Sequence, residues 1–300
     1  MFFQQLIHGL TLGYVYALIA LGYTMVYGIL RLINFAHGEI YMLGAYMTLI
    51  AFAFFTSVGL TEASISLSLF LTLIISILFV AAYGFTIERV AYRPLRSAPR
   101  LSPLISAIGV SIFLQNFVML TQGATYKVFP PIMATQGFTI GETKITYLQL
   151  FIIILSSLIM ALLHLFISRT KTGKAMRAVA QDRLMASLVG IDTDRIIAIT
   201  FIVGSALGAV AGFMVTLYYS LINYYMGYIA GIKAFTAAVL GGIGSIPGAM
   251  VGGILLGFIE GLAAGYISSE YKDAYAFIVL IIILLLKPSG LFKKTEEEKV

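Results

Sequence analysis

Long apolar runs alternate with short polar breaks along nearly the whole chain, and the runs fall near 3–30, 40–57, 66–87, 101–120, 146–168, 196–218, about 234–266 and 274–287. A helix of about 20 apolar residues crosses a bilayer core, so the pattern predicts a polytopic bundle of membrane-spanning helices. The expected fold is all-α, with about 8–9 spanning segments and a region near 233–266 broken by glycine and proline. The first run, "MFFQQLIHGLTLGYVYALIALGYTMVYGIL", lacks a basic leader and is too long for a signal-peptide core, so it reads as a retained first helix.

The polar breaks set the orientation. "ERVAYRPLRSAPR" carries Arg89, Arg93, Arg96 and Arg100 against one acid, and the 169–195 connection carries six basic residues against three acids. Both are expected in the cytoplasm. The 121–145 connection holds only Lys127 and Lys144 and fits the outer face, which agrees with two crossings between the basic loops. Counting back puts "RLINFAHGE" inside and the N-terminus outside. Lys287, Lys293 and Lys294 place the C-terminus inside, and that parity requires an extra break between 219 and 273.

"GGIGSIPGAMVGGILLGFIEGLAAG" (241–265) supplies the break. Interior glycines weaken a helix, and unpaired backbone is costly in hydrocarbon, so "GGIGSIP" must turn where protein or water shields it. Beyond it Gly253, Gly257, Gly261 and Gly265 lie four apart on one helical face, as do Gly204, Gly208 and Gly212. Such faces serve either close helix packing or a sliding contact. Glu260, inside the first face, reads either as a structural acid near the outer interface or as a pathway residue.

Asn34, His37 and Glu39 crowd with Arg31 into one short break, an unusually polar turn. They cluster at one end rather than through the membrane, which argues against a proton relay, and the histidine reads as a hydrogen-bonded structural group. The segment "TGKAMRAVAQDRLMASLVGI" sets Met176, Ala180, Leu184 and Leu188 four apart, between Gly173 and Gly190. It predicts a short amphipathic helix that either lies on the membrane or docks in a partner's groove. The tyrosine-rich "LYYSLINYYMGY" (217–228) suggests an interfacial belt. A faint echo links "LGYTMVYGILRLINF" to "AGFMVTLYYSLINYY", of the kind an internal transporter repeat leaves, and carries no assignment by itself.

Composition removes other classes. With 60% hydrophobic residues, 11% charged residues and a mean hydropathy of +0.99, 300 residues leave no room for a separate soluble domain of ordinary size. One transmembrane domain over 1–300 is expected. The net charge of +6 sits in connections, which argues for membrane topology and against nucleic acid. There is no cysteine, His8, His37 and His164 are scattered, and no metal site is expected. No phosphate loop, H-E-x-x-H or G-x-S-x-G occurs, so no catalytic residue is assigned, and uphill transport would draw energy from a partner or an ion gradient.

Five ordered stretches resemble a known family: "INFAHGEIYMLGAY", "YRPLRSAPRLSPLISAIGVSIFLQN", "GKAMRAVAQDRLMASLVGID", "FTAAVLGGIGSIPGAMVGGILLG" and "LLLKPSGLF". Together they are similar to the branched-chain amino acid ABC transporter permeases of the H type, over nearly the whole chain. The resemblance implies a bacterial or archaeal inner-membrane importer subunit working with an M-type permease, two ATPase subunits and an extracytoplasmic solute-binding protein. ATP and magnesium would bind the ATPases, with no cofactor on this chain. It further implies that about 169–195 is the coupling loop, through Gly173, Met176, Arg177, Ala180, Gln181, Leu184 and Gly190. Gln181 stands where many importers have glutamate. For an apolar amino acid moved by alternating access, Asn34, His37, Glu39, Gly241, Gly242 and Gly244 are the expected cavity lining. An ion-gradient-driven secondary transporter of small neutral solutes is the competing reading.

Overall fold

The computed structural model describes residues 2–96, 98–99, 101–132 and 136–292. Arg100, Lys293 and Lys294, used above for orientation, lie outside them. The described chain is a helical bundle: α1 (Phe2–Leu30), α2 (His37–Ser57), α3 (Leu60–Ala63), α4 (Ile65–Ile87), α5 (Leu101–Gln122), α6 (Tyr147–Arg169), α7 (Lys171–Gln181), α8 (Arg183–Leu188), α9 (Thr193–Tyr219), α10 (Met226–Gly241), α11 (Ile246–Tyr266) and α12 (Lys272–Leu286). Seven helices are long and apolar enough to cross a bilayer, and α10 is a shorter apolar helix. With α12, of 15 residues, these make nine apolar helices among the described residues, within the 8–9 segments expected. Two short antiparallel pairings, the long-range β1 (Lys127–Val128) with β4 (Leu221–Ile222) and the hairpin β2 (Gly137–Ile140) with β3 (Thr143–Thr146), decorate one end.

Helices α1 and α9 form the core, while α4, α5 and α6 keep most of their surface outward with side chains such as Phe70, Leu78, Phe113 and Leu158 exposed. A helix apolar on every side belongs either in a core or against lipid, and both kinds are present. The core helices are antiparallel: His8 Nδ1 meets Tyr218 Oη at 2.7 Å near one end, and Gly22 lies beside Gly204 further along. The ends sort by charge. Arg93, Arg96 and Arg183 gather around Asp194 at one end, while the β2–β3 hairpin reaches the N-terminal helix at the other, through Lys144 N donating to Gln4 Oε1.

Two connections turn back inside the bundle instead of at its surface. His37, the first residue of α2, sits against Gly22, eight residues before α1 ends, or about 12 Å of helix rise. In the other connection, α10 starts with Gly227 and Gly231 packed on Gly38 of α2. The two turns share their chemistry. Arg31 and Ser220 both take φ of +53°, and these two are the non-glycine residues with positive φ among those described. Three residues later Asn34 Oδ1 accepts from Ala36 N at 3.1 Å, and Asn223 Oδ1 accepts from Tyr225 N at 2.8 Å. The "LIN" echo is therefore structural. One turn ends α1, the other ends the antiparallel α9, and each asparagine accepts from the backbone of its turn, Asn34 in a buried setting and Asn223 in an exposed one. Tyr219, Tyr225 and Tyr228 of the 217–228 stretch stay exposed on this connection.

The break at 242–245 is a true interruption. Gly242 and Gly244 take φ of +103° and +94°, Ser245 Oγ accepts from Gly248 N, and Pro247 stands in the first turn of α11. Leu291 N and Phe292 N return to the carbonyls of Leu240 and Gly241, at 2.9 and 3.1 Å, so the "KPSGLF" segment closes the end of α10. Beyond the break, Gly253, Gly257 and Gly261 face Ala17, Gly13 and Gly9 of α1 with no room for a side chain. Gly212 is equally tight against Tyr41 and Ala45 of α2, and Gly208 touches Ile40. Gly204 is looser: a methyl there would meet Gly22 at an ordinary 3.5 Å.

Candidate functional site

Three polar groupings stand out, and each is held by breaks in the helices. The first surrounds the α1–α2 turn. Asn34, His37 and Glu39 are all buried. Asn34 also accepts from Tyr92 Oη at 2.8 Å, and the His37 ring lies edge-on to Tyr23 at 4.9 Å. Glu39 Oε1 accepts from Ser111 at 3.1 Å and Gln115 at 2.7 Å, while Oε2 faces Gly227. The carboxylate thus stands in the first turn of α2 and beside the first turn of α10, where two sets of helix amides favour negative charge. Ser111, Gln115, Gly227, Tyr23 and Phe235 line a cavity of about 480 Å³ just beyond it. Tyr92→Phe should lower stability by about 1 kcal/mol, since it removes one buried hydrogen bond and leaves Asn34 its backbone partner. A thermal melt of the purified protein reads this, and an unchanged midpoint would show that the Tyr92 contact carries no energy.

Gly241, Gly242 and Gly244 do not join that cavity. Gly244 instead shares a small recess with Thr24, Met176 and Arg177, at the basic end. A single lining that combined the glycine break with Asn34, His37 and Glu39 is corrected accordingly: α10 carries the chain a further 16 residues from Met226 before the break occurs.

The second grouping includes a residue that the hydropathy pattern hides. Lys233, buried in the middle of α10, pairs through Nζ with Glu260 Oε1 at 2.6 Å and Asp273 Oδ1 at 2.7 Å. Tyr16 Oη donates to Glu260 Oε2 at 3.0 Å. These four side chains line a cavity of about 470 Å³ with walls from α1, α9 and α10, and Tyr126 of the hairpin end at its rim. Glu260 is therefore one member of a charged cluster. A lone lysine in "GYIAGIKAFTAAVLGG" is the signal the sequence did contain.

The third grouping is at the basic end. Arg96 pairs with Glu88 and, at 2.5 Å, with Asp194, which Arg93 also meets at 2.7 Å. Burial draws the Arg96 guanidinium below its ordinary pKa, and the Glu88 and Asp194 carboxylates oppose that shift. Next to this network the expected single amphipathic helix is two. Thr170 caps α7 and Asp182 caps α8, the latter with an extended backbone and its side chain accepting from Met185 N. The cap redirects the chain, so the four-residue stripe divides: Met176 is buried, Ala180 half-buried, and Leu184 and Leu188 are 66% and 72% exposed. Gly173 is a buried residue inside α7 against the carbonyls of Phe166 and Ile167, where Arg177 also donates to the Ile167 carbonyl. Gly190, at φ +85°, ends α8, and Gln181 is exposed. Among the described residues no group of three or more histidine, cysteine or acidic side chains is placed to hold a metal.

Residues 5–284 match the family model described as the branched-chain amino acid transport system permease component. The chain belongs to this family. It is 51% identical to the high-affinity branched-chain amino acid transport system permease protein BraD of Pseudomonas aeruginosa, over 100% of this chain and 98% of that one. The permease protein LivH of Escherichia coli is 49% identical over the same shares. A probable LivH of Methanocaldococcus jannaschii is 27% identical over 91% of this chain and 87% of its own. The chain is thus a multi-pass membrane permease component, a part of a transport system that includes other subunits, and not itself the catalyst.

Proposed function

We propose that this permease is the H-type subunit of an ATP-driven importer of branched-chain amino acids in a bacterial cytoplasmic membrane. Its partners are an M-type permease, two ATPase subunits that bind ATP and magnesium, and an extracytoplasmic solute-binding protein. The observation that carries the reading is the split coupling segment. Helix α7 is anchored to the bundle by Met176, Arg177 and buried Gly173, while α8 presents Leu184, Met185, Leu188 and Val189 outward, all more than half exposed. An apolar face at a basic, cytoplasmic end suits a groove in a partner better than water. Gly244 of the glycine break borders the same small recess as Met176 and Arg177 of α7, so the coupling segment and the α10–α11 turn face one space at the basic end. Asn34, His37 and Glu39 stand beside the route, behind the cavity faced by Ser111 and Gln115.

Leu184→Asp with Leu188→Asp should reduce ATP-driven leucine uptake in proteoliposomes by at least about 10-fold and release the ATPases on purification, because two charges replace the docking contact. Arg177→Glu should lower uptake while retaining the ATPases, since it loosens α7 from α6. Leucine uptake that proceeds without any ATPase and stops when the proton gradient is collapsed would instead establish a secondary carrier.

A further inference from the structure

We propose that the cavity carrying Lys233, Glu260 and Asp273 is a binding subsite for the ammonium end of an aliphatic α-amino acid, a step that rests on the importer reading above. Its volume of about 470 Å³ is within the range of small-molecule sites. One wall is aliphatic, from Leu12, Val15, Val215 and Ile229, and the floor is ionic. There Glu260 and Asp273 supply two carboxylates against the single ammonium of Lys233. Asp273, partly exposed, shares the Lys233 ammonium with the buried Glu260, and a ligand ammonium entering the cavity gives it a second partner. Lys272, exposed and also lining the cavity, offers the opposite charge at the rim for the ligand's carboxylate.

The repeat argues that the cluster is not there for the fold. Arg31 and Ser220 are equivalent and 189 positions apart, so the counterpart of Lys233 in the first half is Gly44, which packs against Ala209. That position of α2 carries no cation. A buried charged cluster at one position of a symmetric pair marks a function that only one half performs.

The test uses the assembled permease–ATPase complex in lipid nanodiscs without its binding protein. This chain has no cysteine, so Ile229→Cys gives it one thiol inside the cavity, and maleimide labelling of its gel band is followed at increasing leucine. Leucine should slow labelling, and Asp273→Asn should shift half-protection to about 10-fold higher leucine, the loss of one charge-assisted contact. Isocaproate, which is leucine without its ammonium, should not protect. Because Asp273 is partly exposed, its amide variant keeps the bundle intact, and unchanged gel-filtration behaviour confirms this. Equal protection by isocaproate, or a leucine response indifferent to Asp273→Asn, overturns the subsite. ATP-driven leucine uptake by the unsubstituted complex in proteoliposomes supplied with the binding protein, with no protection in nanodiscs, also overturns it and leaves the importer reading standing. Protection without ATP-driven uptake supports the subsite and removes the importer reading.

Discussion

Lys233→Ala is expected to lower the stability of the permease by about 3–5 kcal/mol, because it leaves Glu260 buried and charged with Tyr16 as its remaining partner. The lysine and glutamate side chains are only 6% and 4% exposed, so the orphaned carboxylate is poorly hydrated. Lys233→Met with Glu260→Leu should recover most of that loss, since a neutral pair of similar volume removes both charges together. Asp273 adds little to the penalty, as its side chain is 43% exposed and can hydrate. Thermal midpoints of the two variants in one detergent decide the matter. If the single substitution is as stable as the double, the pair does not carry the charge balance described.

Much of the architecture is legible in hydropathy alone. Span positions, the basic and neutral ends and the break at Gly242–Ser245 follow from long apolar runs, from the placement of basic residues and from glycines clustered just before a serine and a proline. The charged cluster is not legible for a specific reason. Hydropathy starts the seventh span at about 234, which assigns Lys233 to a flank, whereas α10 begins at Met226 and encloses it. The short start is set by a long-range contact, Gly38 against Gly227, and local sequence carries no mark of it. Asp182 shows the opposite failure. Aspartate is a favoured cap and Asp182 accepts from Met185 N, yet regular four-residue spacing across it reads as one helix. Asn34 and Asn223 lie between: the "LIN" echo is visible, but equal φ at Arg31 and Ser220 is what establishes the repeat.

The same geometry distinguishes glycines that sequence spacing treats alike. Gly257→Val should destabilise the bundle by about 3 kcal/mol or more, because the first side-chain carbon would run into the backbone of Gly13 and the carbonyl of Gly9, neither of which can rotate away. Helices α1 and α11 would have to separate along the whole seam from Gly9–Gly261 to Ala17–Gly253. Close backbone approach is what holds helices together where lipid is as apolar as the side chains, so the loss extends beyond the one contact. Gly204→Ala should be nearly neutral, its new methyl sitting 3.5 Å from Gly22, and Gly28→Ala should stabilise slightly, since it meets open space within α1 and gains helix propensity. Melts of the three variants rank the positions. An equal response at Gly257 and Gly204 would mean that the α1–α11 seam yields as easily as α1–α9. The expected order instead makes α1–α11 the tighter seam, while α1–α9 has room for a methyl on the Gly204 side and none at Gly22, where His37 fills the space.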